Sequence, residues 1–126
     1  MNKRRIGSNY EKLACEFLEG KGYTIIEKNF RCHQGEIDII GKADEYICFI
    51  EVKYRKNKIS GYSAEAVTPS KQKTIIKVAK YYLNVHGLSL WSPMRFDVVT
   101  IDDKDIELLI NAFGGMWWII SMKMST

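Results

Sequence analysis

Three charged residues interrupt two apolar runs, and their types and spacing suit chemistry on a phosphodiester. The runs are Gly35-Glu36-Ile37-Asp38-Ile39-Ile40 and Tyr46-Ile47-Cys48-Phe49-Ile50-Glu51-Val52-Lys53-Tyr54. Desolvating an ionised side chain is costly unless a partner or a metal compensates, so Asp38, Glu51 and Lys53 at the ends of such runs need a reason. Residues two apart on a strand share a face, which groups Glu36 with Asp38 and Glu51 with Lys53. If the two strands pair as a hairpin, Asp38 and Glu51 converge on one cation. Hard divalent ions such as Mg²⁺ or Mn²⁺ take one or two carboxylates and complete their shell with water and substrate phosphate. Such an ion acidifies bound water and offsets charge in a phosphorane-like transition state. Lys53 would hold or deprotonate the attacking water, or stabilise the developing charge. The ordinary alternative is a partly exposed Asp38–Lys53 or Glu51–Lys53 ion pair worth about 0–1 kcal/mol.

The acidic-x-Lys spacing occurs three times, in Glu19-Gly20-Lys21, Glu51-Val52-Lys53 and Asp102-Asp103-Lys104. The first falls at a helix end and the third in a turn, where solvated charges need no explanation. The middle one alone ends an apolar strand with a second acidic strand before it. Around it, Ser8-Asn9-Tyr10-Glu11 has the form of a capping box. Tyr10, Leu13, Ala14, Phe17 and Leu18 then recur at helical spacing until Gly20 and Gly22. Tyr23 to Phe30 reads as a strand. The runs at Glu36 to Ile40 and Tyr46 to Tyr54, joined by the polar Gly41-Lys42-Ala43-Asp44-Glu45, read as an antiparallel hairpin. Arg55 to Tyr62 is a polar loop. Thr68-Pro69 opens a second helix, with Thr as cap and Pro in the first turn, running to about Val85 before Gly87. Arg95 to Ile101 and Ile106 to Ile110 are strands around the turn Asp102-Asp103-Lys104-Asp105. The order αβββαββ specifies an α/β fold, with a mixed central sheet of about five strands flanked by helices.

A chain of 126 residues, with no repeat or Pro/Gly-rich linker, is expected to form one domain over 1–126. Apolar and charged fractions of 46% and 27% are those of a water-soluble globular protein. The net charge of +4 permits a polyanionic partner without requiring one. No run approaches the ~20 apolar residues of a membrane span, and the basic start Met1-Asn2-Lys3-Arg4-Arg5-Ile6 lacks the apolar stretch of a secretory signal. Cys15, Cys32 and Cys48 are odd in number and lack C-x-x-C spacing, which indicates reduced thiols and a cytoplasmic location. Cys32-His33 is a poor zinc site, since neighbours on an extended chain point apart and no second ligand pair exists. The apolar tail at 114–126 is expected to pack on the domain or on a second subunit, which would make a homodimer.

Two helical residues bear on the same chemistry. Glu11 is explained by the capping box or by a place in the site. On the second helix, Gln72 falls inside the apolar arc of Ile75, Ile76, Val78, Ala79, Tyr82 and Leu83. An inward amide there needs a hydrogen-bond partner in the site, the substrate or the core. Lys73, Lys77 and Lys80 lie on the opposite face, as a solvated stripe would. Arg55, Lys56, Lys58 and Lys71 stand nearer the acidic pair and are expected phosphate contacts; Lys73 is a further one. Tyr54 and Tyr62 suit either base stacking or packing. Trp117 and Trp118 suit packing, and neither His33 nor His86 is assigned a role.

Gly35-Glu36-Ile37-Asp38 followed by Phe49-Ile50-Glu51-Val52-Lys53 resembles the PD-(D/E)xK nuclease signature. More closely, the chain resembles the bacterial YraN-like family. That resemblance runs through Tyr10-Glu11-Lys12-Leu13-Ala14, Gly22-Tyr23, the two acidic motifs, Glu65-Ala66-Val67 and Lys71-Gln72-Lys73. It ends with Arg95-Phe96-Asp97-Val98-Val99 and Asn111-Ala112-Phe113. It implies a restriction-endonuclease-like fold akin to archaeal Holliday-junction resolvases. It also implies Asp38, Glu51 and the Val52 carbonyl as metal ligands, Lys53 as the catalytic lysine, and Glu11 as a helix-borne acid of the site. Asp38 lacks the preceding Pro of the motif, and the tail extends past Phe113. The leading expectation is a Mg²⁺- or Mn²⁺-dependent DNA endonuclease acting on branched or damaged DNA. The alternatives are a non-catalytic scaffold that binds nucleic acid or a repair protein, and a structural dimer built on the tail.

Overall fold

A computed structural model describes residues 3–54, 67–103 and 105–114, with side chains from Asn9 onward. Helix α1 spans Lys3–Gly20 and is followed by strands β1 (Thr24–Cys32), β2 (Gly35–Ala43) and β3 (Tyr46–Tyr54). Helix α2 (Pro69–Val85) leads to β4 (Met94–Ile101) and β5 (Ile106–Phe113). This is the expected order αβββαββ, a mixed α/β arrangement with five strands and two flanking helices.

The start of α1 departs from expectation. An N-cap residue has non-helical backbone angles, yet Ser8 lies inside a helix that begins at Lys3. The Ser8–Glu11 capping box is therefore not what opens α1. Its other end follows the reading: Gly22 takes a left-handed φ of 94°, and the N–H of Tyr23 reaches back to the Leu18 carbonyl at 3.0 Å. Leu13, expected on the apolar stripe, is 42% exposed. Helix α2 opens as its sequence indicates, with Thr68 Oγ1 accepting the Lys71 N–H at 3.2 Å.

The sheet order is β1-β2-β3-β4-β5. All neighbours are antiparallel except β3 and β4, which run parallel. Parallel neighbours require a crossover, and α2 supplies it. The β2–β3 hairpin closes through Asp44-Glu45, with Asp44 at φ 53°, a shorter turn than Gly41 to Glu45. Each helix covers one face. Ile37, Ile40, Phe49, Phe96 and Val98 pack with Ile75, Val78, Ala79, Tyr82 and Leu83 of α2. Ile39, Cys48, Ile50, Val99 and Ile101 pack with Ala14, Cys15 and Leu18 of α1 and with Tyr23. Burial on both faces is why β3 and β4 read as nearly unbroken apolar runs. The three cysteines are free. Among the described residues no helix is long and apolar enough to cross a membrane.

Candidate active site

The site forms where the central hairpin comes apart. The β2–β3 ladder runs from Ala43↔Tyr46 to Ile39↔Ile50 and stops there. At that level β2 also changes face. Ile37 and Ile40 both pack on the α2 side while Ile39 packs on the α1 side, which strict strand alternation forbids. On β1, Asn29 stands opposite Asp38, between the pairs Lys28↔Ile39 and Phe30↔Ile37, with a left-handed φ of 55°. Asparagine is among the few residues that accept this conformation. Both strands are thus distorted at one level. The Asp38 carboxylate continues where the ladder ends: its Oδ2 accepts the Val52 N–H at 2.9 Å, the place of a strand partner.

That hydrogen bond brings Asp38 against Glu51. Glu51 is 9% exposed. Its carboxyl is pushed up to about 9, by burial first and then by the hydrogen bond and negative charge of Asp38. Lys71 and Lys53 pull in the opposite direction but do not overcome these effects. Lys71 Nζ lies 3.8 Å from Glu51 Oε2. Lys53 is exposed and shares the strand face of Glu51.

Glu11 approaches from α1. Asn29 Nδ2 donates to Glu11 Oε1 at 2.7 Å, so the left-handed residue of β1 is also the one that orients this acid. Burial raises the pKa of Glu11, and the charge of Asp38 raises it further, against the lowering effect of the Asn29 amide. Glu11 therefore belongs to the surroundings of Asp38 and not to a cap. Gln72 is half-buried and spends its amide N–H on the Val67 carbonyl at 2.8 Å, a bond to the segment before α2. Lys73 and Lys77 are exposed and Lys80 is half-buried. Tyr54 stacks on Tyr10 at 4.3 Å and donates to Asp103 at 2.8 Å, which anchors β3 to its surroundings. Arg55, Lys56, Lys58 and Tyr62 lie outside the described residues, as does the tail from Gly115.

A divalent cation can be tested against this donor set. Among the described residues no group of three or more His, Cys, Asp or Glu side chains converges on one point. What converges is a carboxylate pair, one member buried with its pKa raised by the other. A cation between them relieves both the desolvation and the repulsion, and oxygen donors suit a hard ion that keeps part of its water. Asp38 and Glu51 fit such an ion; the Val52 carbonyl is a ligand that only the resemblance implies.

Sequence reasoning missed three features. No signal in the sequence places Lys71, an expected phosphate contact, beside Glu51, yet its Nζ stands there. Asn29 carried no signal, because its conformation is set by the strands around it. Asp97 is fully buried and accepts from Tyr23 Oη at 2.7 Å, Arg95 Nη2 at 3.2 Å and the Asn111 N–H at 2.8 Å. Burial and this bond raise the pKa of the Tyr23 hydroxyl. The signal was present in Arg95-Phe96-Asp97, two charges sharing one face of an apolar strand. This acid is satisfied by donors and ties the loop after α1 to β4 and β5.

Fold and site together define a class: a mixed α/β protein with a carboxylate pair and a lysine at the splayed end of its central strands. The chain belongs to the uncharacterised protein family UPF0102, whose profile matches residues 10–101. This is the family that the YraN-like resemblance indicates. The matched segment holds Glu11, Asn29, Asp38, Glu51, Lys53, Lys71, Gln72 and Asp97. A relative from Lachnoclostridium phytofermentans is 45% identical over 113 residues, covering 90% of this chain and 96% of the relative. One from Vibrio vulnificus strain YJ016 is 46% identical over 114 residues, covering 88% and 93%. A third, from Clostridium perfringens, is 50% identical over 99 residues, covering 79% and 80%. All three are named as UPF0102 proteins.

Proposed function

We propose that the chain is a Mg²⁺- or Mn²⁺-dependent endonuclease that hydrolyses DNA phosphodiester bonds, with branched or damaged DNA as its substrate class, and that its fold is kin to the restriction endonucleases and archaeal Holliday-junction resolvases. The observation that carries this reading is the buried Glu51 carboxyl held against Asp38, with Lys53 on the same strand face. A protein core rarely forces two acids together without a cation or a shared proton to relieve them. Asp38, Glu51 and the Val52 carbonyl would hold the ion. The ion would supply an acidified water and charge neutralisation at the scissile phosphate. Lys53, exposed beside the pair, orients the attacking water or stabilises the phosphate oxygens as charge develops. Glu11, fixed by Asn29, adds a third carboxyl in the surroundings of Asp38. Gln72 keeps the start of α2 against Val67. Arg55, Lys56, Lys58, Lys71 and Lys73 contact backbone phosphates, which position DNA without reading its sequence. A cytoplasmic protein acting as a homodimer through the tail is part of the same proposal.

The test is cleavage of linear, flapped and four-way DNA with Mg²⁺ or Mn²⁺ by wild type, Lys53→Ala and Asp38→Ala. Wild type is expected to cut at least one substrate and both variants to lose more than about a hundredfold. Equal trace activity in wild type and Lys53→Ala would identify a contaminant and end the catalytic reading. Salt-sensitive DNA binding without cleavage, retained or tightened in Asp38→Ala, would establish the scaffold reading in its place.

A further inference from the structure

Lys71 breaks a local rule. It is the third residue of α2, after Pro69 and Ser70, and no acidic residue stands in that first turn. An ammonium at the positive end of a helix dipole is disfavoured, since the N–H groups there attract anions. Compensation comes from β3 beneath the helix, where Lys71 Nζ meets Glu51 Oε2 at 3.8 Å. The acid side chain is 10% exposed and the lysine 46% exposed. A monovalent cation on a half-free stem thus stands at the carboxylate pair that the proposed divalent ion would use.

We infer that Lys71 is an exchangeable counter-cation, which stands against the negatively charged Asp38–Glu51 pair when no divalent ion is bound and turns to a DNA phosphate when one is. The inference rests on the metal-site reading above. A divalent ion on Asp38 and Glu51 removes the negative field that draws Lys71 in, and adds positive charge beside it. The lysine stem is long, flexible and half in solvent, so turning outward disturbs no core packing. The released ammonium and the amide dipoles at the α2 start then favour an anion at one place, and the anion offered by the substrate is backbone phosphate. Metal and DNA therefore bind with positive coupling, and Lys71 carries part of it. The exchange differs from a static phosphate contact in one respect: the metal-free protein already uses the lysine, so the lysine opposes metal binding.

The experiment is Mn²⁺ binding to DNA-free protein by calorimetry for wild type, Lys71→Met and Lys77→Met, the last altering an exposed lysine of the same helix. Affinity of each for a short flapped duplex is then measured in EDTA and in Ca²⁺. Lys71→Met is expected to bind Mn²⁺ about three- to tenfold more tightly than wild type, and Lys77→Met within about twofold of it. The Ca²⁺-induced gain in DNA affinity is expected to be smaller in Lys71→Met than in wild type. Unchanged or weaker Mn²⁺ binding in Lys71→Met, with wild type binding normally, overturns the exchange and leaves the metal site standing. Tighter Mn²⁺ binding with an undiminished Ca²⁺-induced gain overturns the transfer to phosphate. Wild type that binds no divalent ion overturns the exchange and the metal site together.

Discussion

Replacing Glu51 by glutamine is expected to stabilise the metal-free protein and to remove its response to metal. The folded carboxyl is pushed up to about 9 from its ordinary value of 4.5, by burial and by Asp38. The native state therefore holds this proton more tightly than the unfolded chain does. Its contribution to stability is fully present below pH 4.5 and is lost as pH rises toward about 9. At about 1.4 kcal/mol per pH unit, the loss accumulated between 4.5 and 7 is about 3 kcal/mol. Glutamine keeps the shape of the protonated acid and carries no charge to desolvate. The pull of Lys71 is already part of that pKa. The gain at pH 7 is then about 3 kcal/mol, or roughly 9–15 °C in the melting temperature of a domain of this size.

The assay is thermal unfolding of wild type and Glu51→Gln in EDTA from pH 5 to 8.5, repeated with Mn²⁺. The gap between the two is expected to be under about 1 kcal/mol at pH 5 and to widen steadily with pH. At Mn²⁺ a hundredfold above its dissociation constant, wild type gains about 2.7 kcal/mol and the variant far less. A gap that stays flat with pH, or a variant less stable in EDTA at every pH, would refute the reasoning. Either result would mean that Glu51 is ionised and satisfied in the metal-free fold.

Two further substitutions test the scaffold around the site. Thr100 pairs in register with Lys53, and its buried Oγ1 has no hydrogen-bond partner among the described residues. Thr100→Val is expected to add about 1 kcal/mol in denaturant unfolding, and a loss of that size would show that the hydroxyl is bonded. Gly35 has a φ of 152°, and a Cβ on it would stand 2.5 Å from Thr74 Cγ2 of α2. Gly35→Ala is expected to cost about 1–3 kcal/mol. Thr74→Ser, which deletes that methyl, should recover part of the cost; a double-mutant cycle with coupling below about 0.5 kcal/mol would exclude the contact as its cause.

Some of this architecture was legible in the chain and some was not, for separable physical reasons. Helix α2 announces itself because Thr68-Pro69 is a start signal that acts locally and the 3.6-residue apolar period runs without interruption from Ile75 to Leu83. The start of α1 is hidden because Ser8-x-x-Glu11 satisfies a local capping rule, and a local rule does not prevent the helix from beginning earlier. Lys71 is placed by a helical wheel only as to direction. Its partner lies twenty residues upstream on β3, and the parallel register of β3 and β4 that sets α2 across the sheet is not a local property. Asn29 is left-handed because β2 changes face at Asp38, a fact about neighbouring strands that its own sequence context cannot express.

The instructive comparison is between Glu51 and Asp97. Both are acids two residues from a basic residue in an apolar strand, and on the page of sequence they look alike. In the fold Asp97 receives a phenol, a guanidinium and a backbone N–H, and every donor lowers the cost of burying its charge. Glu51 receives another carboxylate and one long lysine contact, and its pKa rises. The first arrangement holds a structure together and needs nothing more. The second costs stability, and that cost is what the proposed cation would offset. The difference between a structural acid and a functional one therefore lies in the sign of what the fold brings to it. That sign depends on strand register, the quantity that a single sequence specifies least directly.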